Sequence, residues 1–263
     1  MTTFGMEFEI QGMNPTRAAA VVSAAGIQCE PNRAHAASDN WSAVYDGSVS
    51  NGAEVVSPIL NESRLNEAHK VTKALKAAGA RVDRATGFHV HIGLNAFGAD
   101  VQEQYRNLAA FTLNYYAAHH AIAALVAPSR LNNRFCSIMN QAAAEQQASF
   151  TQNLHGGAFN GNRYTSLNLE AMHRHGTIEI RLHQGTLNGV KAIAWSQFMA
   201  GFINATKLGL KTTDMVGITP WQNHGRTPSV EQCSTLLDAL VSLNTLNAAT
   251  GDWLKGRATR LNG

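Results

Sequence analysis

Gly87-Phe88-His89-Val90-His91-Ile92-Gly93 decides the fold. Successive side chains on a strand point to opposite faces. Phe88, Val90 and Ile92 therefore share one face, which must cover a core, and His89 and His91 share the other. The pattern recurs in Thr177-Ile178-Glu179-Ile180-Arg181-Leu182-His183. There Ile178, Ile180 and Leu182 line up on one side and Glu179, Arg181 and His183 on the other. Residues 3 to 10 read as a further strand whose Glu7 and Glu9 point the same way. Glu54, in Ala53-Glu54-Val55-Val56-Ser57, is an acid inside a short apolar strand.

Each pattern alone has an ordinary reading. Glu7 and Glu9 suit an edge strand with a wet face, His89 and His91 a surface pair, and Glu179 and Arg181 an exposed ion pair. The same division on four strands carries more weight. If they share a sheet, the polar faces converge and offer carboxylates and imidazoles to a divalent cation and guanidinium groups to phosphate. The sequence has neither a P-loop nor a GxSxG elbow. Phosphates would be held by metals and arginines.

Around these strands the chain alternates helices and hairpins. Asn14-Pro15 opens a helix that Gly26 ends, and another runs from about Ser63 to Ala78 before Gly79. Trp41 to Tyr45 and Ala53 to Ser57 are strands joined through Asp46-Gly47-Ser48. Asp100 caps a helical stretch to about Val126, and Gln141 to Gln152 is helical. Arg163 to Leu169 and Thr177 to His183 read as paired strands. Asn188 caps a helix to about Lys207, and Ser229 with Gln232 opens a last one to about Leu243. Hairpins without regular βαβ alternation indicate α+β with a largely antiparallel sheet. The chain reads as one domain, 1–263, with 208–228 as a flexible connection.

Apolar residues make up 44% and charged residues 15% of the 263, with a net charge of +3 and no basic stripe. A folded protein with no nucleic-acid partner is expected. Cys29, Cys136 and Cys233 are odd in number and form no CxxC pair, which argues against a disulfide framework or a cysteine zinc site. No apolar run nears the roughly 18 residues of a membrane span, and no signal-like segment opens the chain. A cytoplasmic location with no membrane contact is the expectation.

The order EFE, DGS, EVVSP, GFHVHIG, NRYTSLNL and GTIEIRLHQGTLN over residues 3 to 205 resembles the amidoligase family, placed among the glutamine synthetase-like carboxylate-amine ligases. The resemblance implies a curved, largely antiparallel sheet with helices on its outer face. It also implies ATP with Mg2+ or Mn2+, a small-molecule or peptide carboxylate and an amine. By resemblance Glu7, Glu9, Glu54, His89 and Glu179 hold metal, with Asp46 a stand-in for a further acid. His91, Arg163 and Arg181 face the nucleotide, and Arg181, Arg163 and Glu54 form the catalytic set. The chain lacks the separate N-terminal domain of glutamine synthetase, so one subunit could supply the whole site. Residues 154 to 162, with Gly156, Gly157 and Gly161, suit a lid that keeps water from an activated carboxylate. A guanidino kinase, a metal-dependent hydrolase and a nucleotide-binding module without catalysis remain open readings. So do the acid, the amine and the oligomeric state.

Overall fold

A computed structural model describes residues 1–31, 39–47, 49, 51–138, 140–152, 162–219 and 227–263. The expected lid lies outside these residues except for Asn162. So do Ser48 of the first hairpin turn and residues 220–226 of the 208–228 connection.

The elements in chain order are β1 (Phe4–Gln11), α1 (Pro15–Ala24), β2 (Cys29–Pro31), β3 (Trp41–Val44), β4 (Gly52–Val56), α2 (Glu67–Ala77) and β5 (Phe88–Gly93). They continue with α3 (Val101–Ala117), α4 (His119–Ala123), α5 (Pro128–Leu131), α6 (Gln141–Gln152), β6 (Leu167–Asn168), α7 (Ala171–His175) and β7 (Thr177–Ile180). The chain closes with α8 (Gly189–Lys207), α9 (Val230–Ser242) and α10 (Ala248–Asn262). The sheet order is β2-β3-β4-β1-β5-β7-β6. β1 pairs antiparallel with β4 and β5, β3 pairs antiparallel with β4, and β2 runs parallel to β3. The expected α+β class with a largely antiparallel sheet is what the chain adopts.

The chain forms two compact units, Met1–Ile92 with Glu179–Ser196, and Gly93–Ile178 with Gln197–Gly263. In the first, Phe8, Ile10, Val55, Phe88 and Val90 are fully buried. α1 packs against β2, β3 and β4, and α2 against α1. Asn14 Oδ1 accepts from Arg17 N at 2.9 Å, Pro15 follows at the first helical position, and Gly26 at φ +79° ends the helix. β4 begins at a glycine for a steric reason, since a Cβ on Gly52 would lie 2.1 Å from the Ile10 carbonyl oxygen.

The second unit is mainly helical. Asp100 caps α3 through Glu103 N at 2.8 Å, and the helical stretch breaks at Ala118 into α3 and α4. Asn114 of α3 donates to Thr206 Oγ1 and the Leu210 carbonyl, and accepts from Thr212 N.

Several expectations need correction. Ser63 to Ala78 is a 3-10 turn over Glu62–Arg64 followed by α2, not one helix. Arg163 is not on a strand. Asn162 folds an Asx turn, its Oδ1 accepting from Tyr164 N at 3.0 Å, Thr165 forms an isolated bridge to Ser137, and the strand is Leu167–Asn168. β7 stops at Ile180, so Arg181 and His183 both lie beyond it; Arg181 still pairs with Glu179, but His183 does not join that face. Its ring instead meets Phe88 edge-on at 5.5 Å and Trp195 at 5.2 Å. The helix after Ser229 is not the last. Asn247 caps α10 by accepting from Ala249 N. Gly251 in α10 sits where a Cβ would come within 2.9 Å of Val241 Cγ2 of α9.

Candidate metal and phosphate site

Register turns four separate sequence patterns into one cluster. In an antiparallel pair, residues directly opposite share a face. β1 sets Glu9 opposite Glu54 of β4 and Glu7 opposite His89 of β5. Gly5 lies opposite His91, and a Cβ there would come 3.2 Å from the His91 Cβ, so the missing side chain gives this imidazole its room.

The polar face does not meet water as the ordinary readings require. Glu9 is 5% exposed, Glu54 4%, His89 3% and Glu179 5%. His89 is the hub. Its Nδ1 lies 3.2 Å from Glu7 Oε2 and 3.5 Å from Glu179 Oε1, and its Nε2 lies 3.5 Å from Glu9 Oε1. His91 Nε2 is 3.1 Å from Glu7 Oε1, and the Arg181 guanidinium pairs with Glu179. Glu9 Oε2 also accepts from Gly87 N at 2.5 Å, which ties the first strand to the start of the HxH strand.

Three sets of donors could each surround a cation, with all ligand atoms of a set within 4.8 Å of one another. They are Glu7, His91 and Glu179; Glu7, Glu54 and His89; and Glu9, Asp46 and Glu54. Asp46 stands with Glu9 and Glu54 in the third of these sets. Glu7 and Glu9 fall in different sets. Arg163 belongs to the second unit, in an exposed turn with its guanidinium 5.2 Å from the Tyr164 ring centroid.

The charges act on one another. Burial alone would raise the Glu7 carboxyl, but His91 and His89 hold it well below the usual carboxylate range. Burial would likewise raise Glu179, and His91, Arg181 and His89 lower it. Burial would push His91 down, yet Glu7, with Glu179 and Glu54 behind it, takes it up to about 9. In the metal-free protein His91 is therefore a cation at neutral pH. The stability that this ion pair contributes is complete below the ordinary histidine value and is lost as pH rises through about 9.

A divalent ion on Glu7 removes the field that raises His91, so its titration should fall on adding metal. Below pH 9 a proton should then leave as metal binds, and metal affinity should climb with pH. An imidazole NMR titration with and without Mg2+ tests this. An unchanged His91 midpoint at saturating metal would place the ion away from Glu7.

Some supporting residues carried no signal in the sequence. Thr86 accepts through its carbonyl from Gly185 N at 2.8 Å, and a Cβ on Gly185 would strike Thr86 Oγ1 at 2.2 Å. The glycine of HQGTLN therefore lets the segment after β7 lie directly against the residue preceding GFHVHIG. Trp41 Nε1 donates to Glu67 Oε2 at 2.9 Å and fixes α2 to β3. Only the contact partner reveals either role.

Comparison with solved structures gives weak likenesses. One is to a GmaS/ADP complex in conformation 1, at 12% identity and TM-score 0.47, covering 99% of this chain and 68% of that one. Another is to the Plasmodium falciparum glutamine synthetase solved by cryo-EM, at 10% identity and TM-score 0.43, covering 98% of this chain and 71% of that one. A comparison with curated proteins gives no match. Among the described residues no helix is long and apolar enough to cross a membrane. The family profile described as "Putative amidoligase enzyme" matches residues 1–203, and with most of its length so matched the chain belongs to the amidoligase family.

Proposed function

We propose that the chain is an ATP-dependent amidoligase that uses divalent metal to join a small or peptide carboxylate to an amine. The observation that carries this is the buried register of Glu9 against Glu54, with Glu7 and Glu179 on the same polar face. Like charges directly opposite destabilise a sheet, and buried carboxylates cost several kcal/mol unless compensated. Arg181, His91 and His89 compensate Glu7 and Glu179. The Glu9, Asp46 and Glu54 set contains carboxylates alone, the donor type that Mg2+ and Mn2+ take. The residues present fit such ions.

Glu7, Glu9, Glu54, Asp46, His89 and Glu179 would hold the metal, which when bound offsets the charge of nucleotide phosphates. Arg181 would bear on the phosphoryl group in transfer, held in direction by Glu179. His91, whose Nε2 lies 3.1 Å from Glu7 Oε1, would meet phosphate. Arg163 is proposed as a second phosphate contact. The chemistry needs these charges because a carboxylate is a poor electrophile. Moving the γ-phosphoryl group onto its oxygen creates a leaving group that an amine displaces, and this brings several anions together.

Hydroxylamine provides a test that needs no knowledge of the natural amine. With Mg2+, ATP and a panel of amino acids and small peptides, the chain should release ADP and phosphate in step with hydroxamate formation. Product without nucleotide would indicate a hydrolase, and ADP without free phosphate a guanidino kinase. Either result rejects the ligase reading.

A further inference from the structure

The second unit holds a cavity of about 420 Å3 between α3, α6 and the segment that follows α8. This volume lies within the range of small-molecule sites. Its walls are chiefly apolar, from Ala110, Leu113, Ala117, Ala144 and Leu210. Leu113 is 41% exposed along α3, an apolar side chain of some size left partly uncovered at the cavity's edge.

The polar groups in the lining are largely engaged elsewhere. Asn114 spends both Nδ2 hydrogens on Thr206 Oγ1 and the Leu210 carbonyl, and its Oδ1 accepts from Thr212 N. Thr206 Oγ1 donates to the Phe202 carbonyl. Apart from the buried Tyr116 hydroxyl, the floor therefore offers a ligand contact area and little hydrogen bonding. Two charges stand at the exposed mouth, Glu145 and Lys211. Gln141 Nε2 donates to Glu145 Oε1 at 2.7 Å. Among the described residues Lys211 has no ion-pair or hydrogen-bond partner for its ammonium.

We infer that this cavity is a binding site for a small amphipathic carboxylate, its aromatic or aliphatic body against Leu113, Ala117 and Ala144 and its carboxylate on Lys211. The inference is independent of the amidoligase reading, because it uses none of the residues which that reading assigns to metal or phosphate. The ligand binds without covalent change, through burial of apolar area and one ion pair at a partly wet mouth.

The test is a titration with 4-phenylbutanoate, followed by backbone amide NMR shifts and by melting temperature. Saturable shifts confined to α3, α6 and residues 206–213 are expected at millimolar concentration or below, and the carboxylate should raise the melting temperature. Lys211→Gln should weaken binding roughly fivefold, the scale of one exposed ion pair. Glu145→Gln should tighten it. Ala117→Phe, at a half-buried position that tolerates bulk better than buried Ala144, should fill the cavity and abolish binding. Acetate, which lacks the body, should not bind.

No shifts up to about 10 mM, roughly tenfold above the weakest affinity expected, would overturn the proposal. Equal or tighter binding of 4-phenylbutylamine would overturn it too. So would undiminished binding to a folded Ala117→Phe protein, which would place the ligand elsewhere.

Discussion

Glu54→Gln should leave the metal-free protein at least as stable as the wild type while removing its response to Mn2+. Glu54 is 4% exposed and lies directly opposite Glu9 on β1. Removing one of two facing carboxylates relieves repulsion that outweighs the more distant pull of Glu54 on His91, so the substitution that ends function also removes a structural cost. Metal affinity should fall by at least the roughly 100-fold that loss of a supporting group can cause. ATP-dependent hydroxamate formation should fall with it. Glu7→Gln gives the contrast. Glu7 is paired with both His89 and His91, so its loss removes the carboxylate nearest the His91 cation and should lower the metal-free melting temperature. Paired melting curves with and without Mn2+ read both effects. A Glu54→Gln protein that still gains stability from Mn2+ would show that the acid pair holds no metal.

The division of faces was legible because strand alternation is a local property. Phe88, Val90 and Ile92 are fully buried as their spacing requires, and Glu7, Glu9, Glu54, His89 and Glu179 can be singled out residue by residue. Register was not legible. That Glu9 meets Glu54, and that Gly5 leaves room beside His91, depends on which strands pair and at what offset, and no single strand encodes it. Arg163 shows how a local competitor defeats a strand pattern. The Asn162 side chain offers the Tyr164 amide a turn, and pattern alone does not weigh that alternative. His183 has the spacing of Glu179 and Arg181, but the strand ends before it, and Phe88 and Trp195 take its ring. α10 was missed because Gly251 and Gly256 lower helix propensity. Close packing on α9 makes one of those glycines an advantage, since a Cβ at Gly251 would crowd Val241.

Arg181→Ala should separate the electrostatic role of this guanidinium from its role toward phosphate. Arg181 is 9% exposed and pairs with Glu179, itself 5% exposed. Breaking a buried pair by removing one partner costs about 3–5 kcal/mol, because a charge is left behind without its counter-ion. His91 and His89 also face Glu179, so the cost should lie toward the lower end. Without Arg181 the Glu179 carboxyl should titrate higher, and the metal-free protein should lose stability at a less acidic pH than the wild type. Glu179, Glu7 and His91 form one of the donor sets, so a divalent ion there can replace the missing positive charge. The stability deficit should therefore narrow in Mn2+, while hydroxamate formation stays about 10³-fold slower, the scale expected when a charge-stabilising arginine is lost from phosphoryl transfer. Arg181→Lys should recover most of the stability and little of the rate, since a lysine restores the charge but not the two-pronged grip on phosphate. A deficit of equal size with and without Mn2+ would remove Glu179 from the metal ligands. A rate near that of the wild type would remove Arg181 from the reacting phosphate.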